Sequence, residues 1–305
     1  MTRTVCARGV RGACVETLQQ GLSRAGLYTG SVDGSYGGGT ERAVRAHQVI
    51  ARLPPTGAAD DVTWTSVTGL PIPPLAQRCL QLTAAIEGHG YGMVAGNFDG
   101  AGLTWGIIGF TLKYGDLRDV ILKVQSQCPG VIADAFGPLA NELLDRIVLD
   151  FPQGLAWANS ISEGPKRYVV RKDWRDGFAR LGTRPEVRRL QVEQAMQKYY
   201  EPALMTAGRI GFSTELGVAL AFDAHVQNGG VKAATLRQIA SEQHAGALRS
   251  QRALRLRTAE LVAQSARSEW RADVLARKTA IASGEGRTHG EMLVLDSWGL
   301  GEYPM

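Results

Sequence analysis

A mainly helical chain in two unequal parts is what this sequence predicts, on three observations. Its 305 residues exceed the size of one ordinary compact domain. Apolar side chains recur at three- and four-residue steps in several long segments. Pro71, Pro73 and Pro74 fall within "TGLPIPPLAQ", where they stop any helix and stiffen the chain. The expected parts are a small helical module over residues 1–70, a proline-rich linker over 71–74 and a larger region over 75–305. Hydrophobic residues at 44% and charged residues at 21% supply enough apolar surface for a sizeable core, which excludes a disordered chain.

In the first part, Val15, Leu18, Leu22 and Ala25 stand at helical spacing, and Gly26 follows where a helix end uses glycine. Thr40 is placed to cap a second helix whose apolar face is Ala43, Val44, His47 and Ile50. Asp60 or Asp61 is placed to cap a short third helix carrying Val62, Trp64 and Val67. Cys6, Cys14, Cys79 and Cys128 are scattered without metal or redox spacing and are expected to be free thiols. A Cys6–Cys14 bridge would need an oxidising compartment.

These residues resemble the three-helix type of peptidoglycan-binding domain over about residues 8–68. The matching positions are Leu18–Gln19, Gly26, Asp33–Gly34, Gly37, Thr40, Ala43–Val44, Gln48, Leu53, Thr56–Gly57 and Trp64. The resemblance implies a module that holds a cell-wall glycopeptide. Most matched positions read as caps, turns and core, with Tyr36 and its loop as the candidate ligand contact.

The larger region opens with Leu75, Cys79, Leu82 and Ile86 on one face of a helix, which Gly88 stops. Glu87 then sits in the last turn, where the negative helix end and apolar neighbours disfavour ionisation. Asp99 follows in "GNFDGAGLTWGIIGF", a turn leading into a short β-hairpin, where it should be wetter and more ionised. Two carboxyl groups in unlike surroundings suit glycoside hydrolysis, with one protonating the leaving oxygen and the other activating water.

The pattern Asp99, Gly100, Gly102, Thr104, Gly106, Ile107, Ile108, Gly109, Phe110 resembles the family 46 chitosanases, members of the wider lysozyme superfamily. The resemblance implies a lysozyme-like α domain with a short β-hairpin at the active-site cleft. It makes Glu87 the general acid, Asp99 the general base and Thr104 the hydroxyl that orients the attacking water. Asp116 falls where the family has a substrate-contacting aspartate, although it is equally placed to cap the helix beginning near Leu117. Tyr91, in the glycine-rich loop, is a further candidate substrate contact. "GVALAFDAHVQNGG" matches a second family helix, which makes Asp223, Gln227 and Asn228 substrate-side residues that brace the cleft. Trp174 and Tyr199–Tyr200 could floor a sugar site, with core packing as their competing role. Ala101 stands where these chitosanases usually have arginine, the Glu-to-Asp interval is shorter than theirs, and the chain is basic although chitosan is a polycation. These departures and the first module point to peptidoglycan.

The expected protein is therefore a phage-endolysin-like, muramidase-type hydrolase that inverts the anomeric centre if its carboxyl groups stand roughly 6.5–9.5 Å apart. The competing readings are a lytic transglycosylase using Glu87 alone, a chitosanase and a non-catalytic wall-binding or virion protein. Net charge +5 favours polyanions in general. Arg249, Arg252, Arg255, Arg257, Arg267, Arg271 and Arg277 read as the solvated side of long helices or as an attraction to anionic wall polymer or outer-membrane lipid. Peptidoglycan is the expected partner of a monomer, with no nucleic acid, metal or cofactor implied. The first residues lack the apolar core of a signal peptide, so synthesis in the cytoplasm and action at the wall after release are expected.

Overall fold

The first residues build a small bundle: β1 (Thr4–Cys6), α1 (Ala13–Arg24), α2 (Gly38–Ile50), β2 (Ala59–Asp60) and α3 (Asp61–Thr68). β1 and β2 pair antiparallel. Asp60 caps α3 by accepting from the Thr63 amide at 2.8 Å, as its position predicts. Thr40 does not cap α2. That helix starts at Gly38, and the buried Thr40 hydroxyl instead accepts from the Gln19 amide at 3.1 Å.

Two enclosed glutamines hold the turns. Gln19 accepts from the Asp33 and Gly34 amides at 3.1 and 3.0 Å. Gln48 accepts from the Gly57 amide at 2.9 Å and donates to the Ala58 carbonyl at 2.8 Å. Tyr36, expected at the ligand, is 2% exposed and donates its hydroxyl to the Gly57 carbonyl at 2.7 Å. It is a core residue, and burial raises its phenol pKa far above the ordinary value.

The computed structural model, which describes residues 2–88 and 90–305, continues with α4 (Leu75–Glu87), β3 (Val94–Ala95), β4 (Thr104–Trp105) and β5 (Phe110–Thr111). Then come α5 (Asp116–Gln127), α6 (Val131–Phe136), α7 (Ala140–Ile147), α8 (Phe151–Ser160), β6 (Ser162–Glu163), β7 (Val169–Val170), α9 (Lys172–Thr183) and α10 (Pro185–Ala195). A π-helical segment, Met196–Tyr200, leads into α11 (Glu201–Ile210), α12 (Glu215–Asn228), α13 (Ala233–His244), α14 (Gln251–Gln264) and α15 (Arg271–Ser283). The hairpin of β8 (Glu285–Thr288) and β9 (Glu291–Val294) follows. The fold is mainly helical, as the sequence predicts. No described helix is long and apolar enough to cross a membrane.

Packing divides the chain differently from the expected boundaries. One unit holds residues up to 85 together with 199–305, and the other is the continuous stretch 86–198. Residues 71–74 do not separate the packed units: the Pro71 carbonyl accepts from Trp64 Nε1 and the Pro73 carbonyl from Arg78 Nε, both at 3.0 Å. Prolines that restrict the chain also leave carbonyls free to accept, and these are tied down on both sides.

In the first unit, α4 is bound to the later helices by buried charge. Arg78 donates Nη1 and Nη2 to Glu215 Oε2 and Oε1 at 2.7 and 2.8 Å, and also bonds the Gly299 carbonyl. Thr83, one turn before Glu87, donates to Asp223 Oδ1 at 3.2 Å. Asp223 is 0% exposed, with Arg277 Nη2 at 2.6 Å and Lys278 Nζ at 2.5 Å. Burial opposes its ionisation, but the two cations outweigh burial and hold the carboxyl far below the usual carboxylate range. Asp223 is thus an internal anchor and is not open to a sugar. Gln227 accepts from the same Lys278 at 2.6 Å. Asn228, the last residue of α12, is partly buried with an enclosed Oδ1.

The arginine-rich segment also differs from its expected solvated face. Arg255 is buried, bonding the Ala282 carbonyl, Thr214 and Glu302, and Arg277 belongs to the Asp223 cluster. Arg257 is held by Glu242 and Glu260. Arg249, Arg252, Arg267 and Arg271 do lie exposed. Replacing Asp223 with Asn leaves two buried cations facing a neutral amide and should cost about 3–5 kcal/mol, read by urea unfolding at pH 7. Because the folded carboxyl pKa lies below its unfolded value of about 3.9, its stabilisation is complete above about pH 4 and is lost as pH falls below that. Acid titration of wild type and Asp223→Asn should therefore converge at low pH.

Candidate active site

Glu87 is the last residue of α4, as its sequence position predicts, and is half-buried. Gly88 follows with φ +68°, the left-handed turn that ends a helix. Beyond it, Gly92 packs directly on Gly182 of α9, so closely that a Cβ on Gly182 would overlap the Gly92 backbone. Only glycine allows this approach.

Asp99 and Thr104 lie on and beside a three-stranded sheet in the order β3-β4-β5, where the sequence predicts a two-stranded hairpin. The extra strand, Val94–Ala95, pairs with Trp105 and Thr104, and its two residues are too few to show alternation among the glycines. Thr104 sits in the central strand between Ala95 and Thr111. Its neighbour Trp105 is fully buried against Phe178, with ring centroids 5.5 Å apart, which fixes the strand to the core. Trp174 lies wholly in that aromatic core, against Phe136 and Trp157, and so floors no sugar site. Tyr199 and Tyr200 are half-buried, and burial pushes both hydroxyls up to about 12.

The exposed Asp99 stands on a loop with little freedom. Its Oδ1 accepts from the Ala101 amide at 2.9 Å, a local turn that Asp forms readily. Asn97 holds the loop from three sides. Its amide donates to Ser162 Oγ at 3.0 Å, its Nδ2 donates to Asn159 Oδ1 at 2.7 Å, and its Oδ1 accepts from the Gly102 amide at 3.0 Å. Phe98 packs on Tyr168 at 5.2 Å. The exposed carboxylate is therefore presented by a pinned backbone.

Asp116 opens α5 behind Gly115 rather than facing solvent. It is 2% exposed and its carboxylate pairs with Lys198, so it is closed to a sugar as it stands. Tyr91 is half-buried, with the Arg188 guanidinium 5.0 Å from its ring centroid. No described group of three His, Cys, Asp or Glu side chains is arranged to hold a metal ion.

Gln191 of α10 has no sequence motif to announce it. Fully buried, it donates Nε2 to the Tyr91 carbonyl at 3.0 Å and accepts at Oε1 from the Ile107 amide at 2.9 Å. One side chain thus ties the loop after Glu87 to the turn after Thr104. Gly106, at φ +92°, makes room for it, since a Cβ there would lie 2.6 Å from Gln191 Oε1.

Residues 11–67 match the family model described as "Putative peptidoglycan binding domain". Sequence comparison with curated proteins finds no match. Among solved structures, the native chitosanase of Bacillus subtilis MY002 is similar at 18% identity and TM-score 0.50, covering 72% of this chain and 98% of that one. The GH46 chitosanase GsCsn46A of Gynuella sunshinyii, solved with chitotetraose, is similar at 20% identity and TM-score 0.48, covering 73% and 98%. At this identity the likeness is one of fold, the mainly helical, lysozyme-like architecture that these chitosanases share.

Gln191→Leu should destabilise the chain by about 1–3 kcal/mol for each of the two backbone groups it leaves unpaired. Gly106→Ala should also destabilise, because it sets a Cβ against Gln191 at a positive φ. Urea titrations followed by tryptophan fluorescence would read both.

Proposed function

We propose that the chain hydrolyses the β-1,4 glycosidic bond of peptidoglycan glycan strands, as a muramidase-type enzyme with Glu87 as general acid and Asp99 as general base. The observation that carries this reading is the placement of two carboxyl groups in one compact unit, one ending a helix and one exposed on a pinned loop. In this scheme Glu87 protonates the departing oxygen, Asp99 takes a proton from the attacking water, and the Thr104 hydroxyl orients that water. Inversion at the anomeric carbon follows, because no covalent intermediate forms. The similarity of residues 11–67 to a peptidoglycan-binding family supports the wall glycan as substrate. An endolysin, acting at the wall after release, is the role that suits such a pair of modules.

The fold likeness to chitosanases makes chitosan the rival substrate. Against it stands Asp116, whose carboxylate is enclosed and already neutralised by Lys198, so it offers no open anion to a cationic sugar. The chain's net charge of +5 would also repel a polycation.

Digestion of purified peptidoglycan, with mass spectrometry of the new ends, tests the reading. Wild type should release reducing N-acetylmuramic ends, and Glu87→Gln and Asp99→Asn should each lose about 10²–10⁴-fold in rate. Anhydromuramic ends from an active Asp99→Asn would assign a transglycosylase instead. Binding without cleavage by wild type would leave a wall-binding protein.

A further inference from the structure

A pocket of about 270 Å³ opens beside the sheet, lined by Lys113, Tyr114 and Arg118 on one side and by Ile147, Asp150 and Phe151 on the other. It lies wholly within the unit 86–198. Its first wall continues the strand that flanks the Asp99 loop. The Leu112 amide donates to the Leu103 carbonyl at 2.9 Å and the Lys113 amide donates to the Ala101 carbonyl at 3.0 Å. Ala101 is the residue whose amide holds Asp99. The strand that lines the pocket is therefore joined by two backbone hydrogen bonds to the segment that carries the proposed general base.

The lining has a definite chemistry. Tyr114 is 69% exposed at the mouth, an aromatic face left to water, with Lys113 Nζ 5.8 Å from its centroid. Lys113 and Arg118 are both exposed, and Arg118 pairs with the solvent-screened Asp119 at 3.5 Å. Asp150 is the opposing charge, but its Oδ1 is spent on the Gln153 amide at 3.0 Å, where it caps α8. The lining itself carries two cations against one carboxylate, with Asp119 beside Arg118 just outside it. The volume falls just short of the range of roughly 300–1,000 Å³ common for small-ligand sites, so it fits one substituent rather than a run of sugars.

Resting on the muramidase reading above, we propose that this pocket is a subsite for a carboxylate-bearing substituent on the glycan. Arg118 and Lys113 pair with the carboxylate, and Tyr114 covers the apolar face of the sugar that carries it. The same cations repel the ammonium groups of chitosan. On a wall strand the carboxylate comes either from the lactyl ether of a peptide-free muramic residue or from the stem peptide.

The test is kinetic and uses the full chain. Peptide-free strands, peptide-bearing strands and the same strands with their carboxyl groups converted to neutral amides are compared as substrates. For wild type, kcat/KM should be higher on acidic than on amidated strands and should fall with added salt. In Lys113→Ala/Arg118→Ala the ratio of kcat/KM between acidic and amidated strands should drop about tenfold, equivalent to about 1.4 kcal/mol. The charge-keeping swap Lys113→Arg/Arg118→Lys should retain most of that ratio. Loss of preference on peptide-free strands assigns the lactyl carboxylate, and loss on peptide-bearing strands alone assigns the stem peptide. A double variant with the wild-type ratio on both acidic substrates would overturn the subsite and leave the muramidase reading standing. A wild type that cleaves none of the strands would overturn that reading and the subsite with it.

Discussion

The pairing of Arg78 with Glu215 is the interaction on which the first unit depends. The two residues are far apart in sequence and both buried, so each would be costly alone and is tolerable only because the other is there. Arg3 adds a third charge at 3.1 Å, and Arg78 also reaches the Pro73 and Gly299 carbonyls. The Arg78 guanidinium thus gathers the proline-rich stretch, α12 and the last residues around α4, and Glu215 adds the start of the chain through Arg3. Five donors in a fixed planar fork make arginine the side chain suited to such a junction. Further along the same helix, Thr83 meets Asp223 and its two cations, and the helix then ends on Glu87. The proposed acid therefore ends an element that is anchored along its length by buried ionic contacts.

A second theme is the use of enclosed glutamine as a neutral clip. Gln19, Gln48 and Gln191 each use both ends of the amide on backbone groups of a loop that glycine makes possible. An amide satisfies donors and acceptors at once without the desolvation cost of a charge. Where the chain has to bind distant helices it uses ions, and where it has to fix a turn it uses glutamine.

This division explains what was legible in the sequence. Local signals carried through: Asp60 caps α3, Gly26 takes the left-handed position after α1, and Glu87 closes α4. The Asp99 turn is also local, formed by its own carboxylate and an amide two residues on. What sequence reading missed depends on partners far along the chain. Nothing near Gln191 or Asn97 announces that they fasten these two loops, since all their partners but Gly102 lie 62 to 100 residues away. Arg255 and Arg277 look like their solvated neighbours until Glu302 and Asp223 are placed beside them. Tyr36 failed as a ligand contact because its loop folds inward to Gly57.

One unit of this chain is assembled from two separated stretches, with residues 86–198 inserted between them. On a ribosome, residues up to 85 emerge long before Glu215, Asp223 or Arg277 exist to meet Arg78 and Thr83. β1 pairs early with β2, but the Thr4 hydroxyl meets its acceptor Asp296, at 2.9 Å, only when the last residues are made. The inserted unit is continuous and has all its own chain in hand as soon as it is made. The first unit is therefore completed only when the last residues of its second stretch have been made.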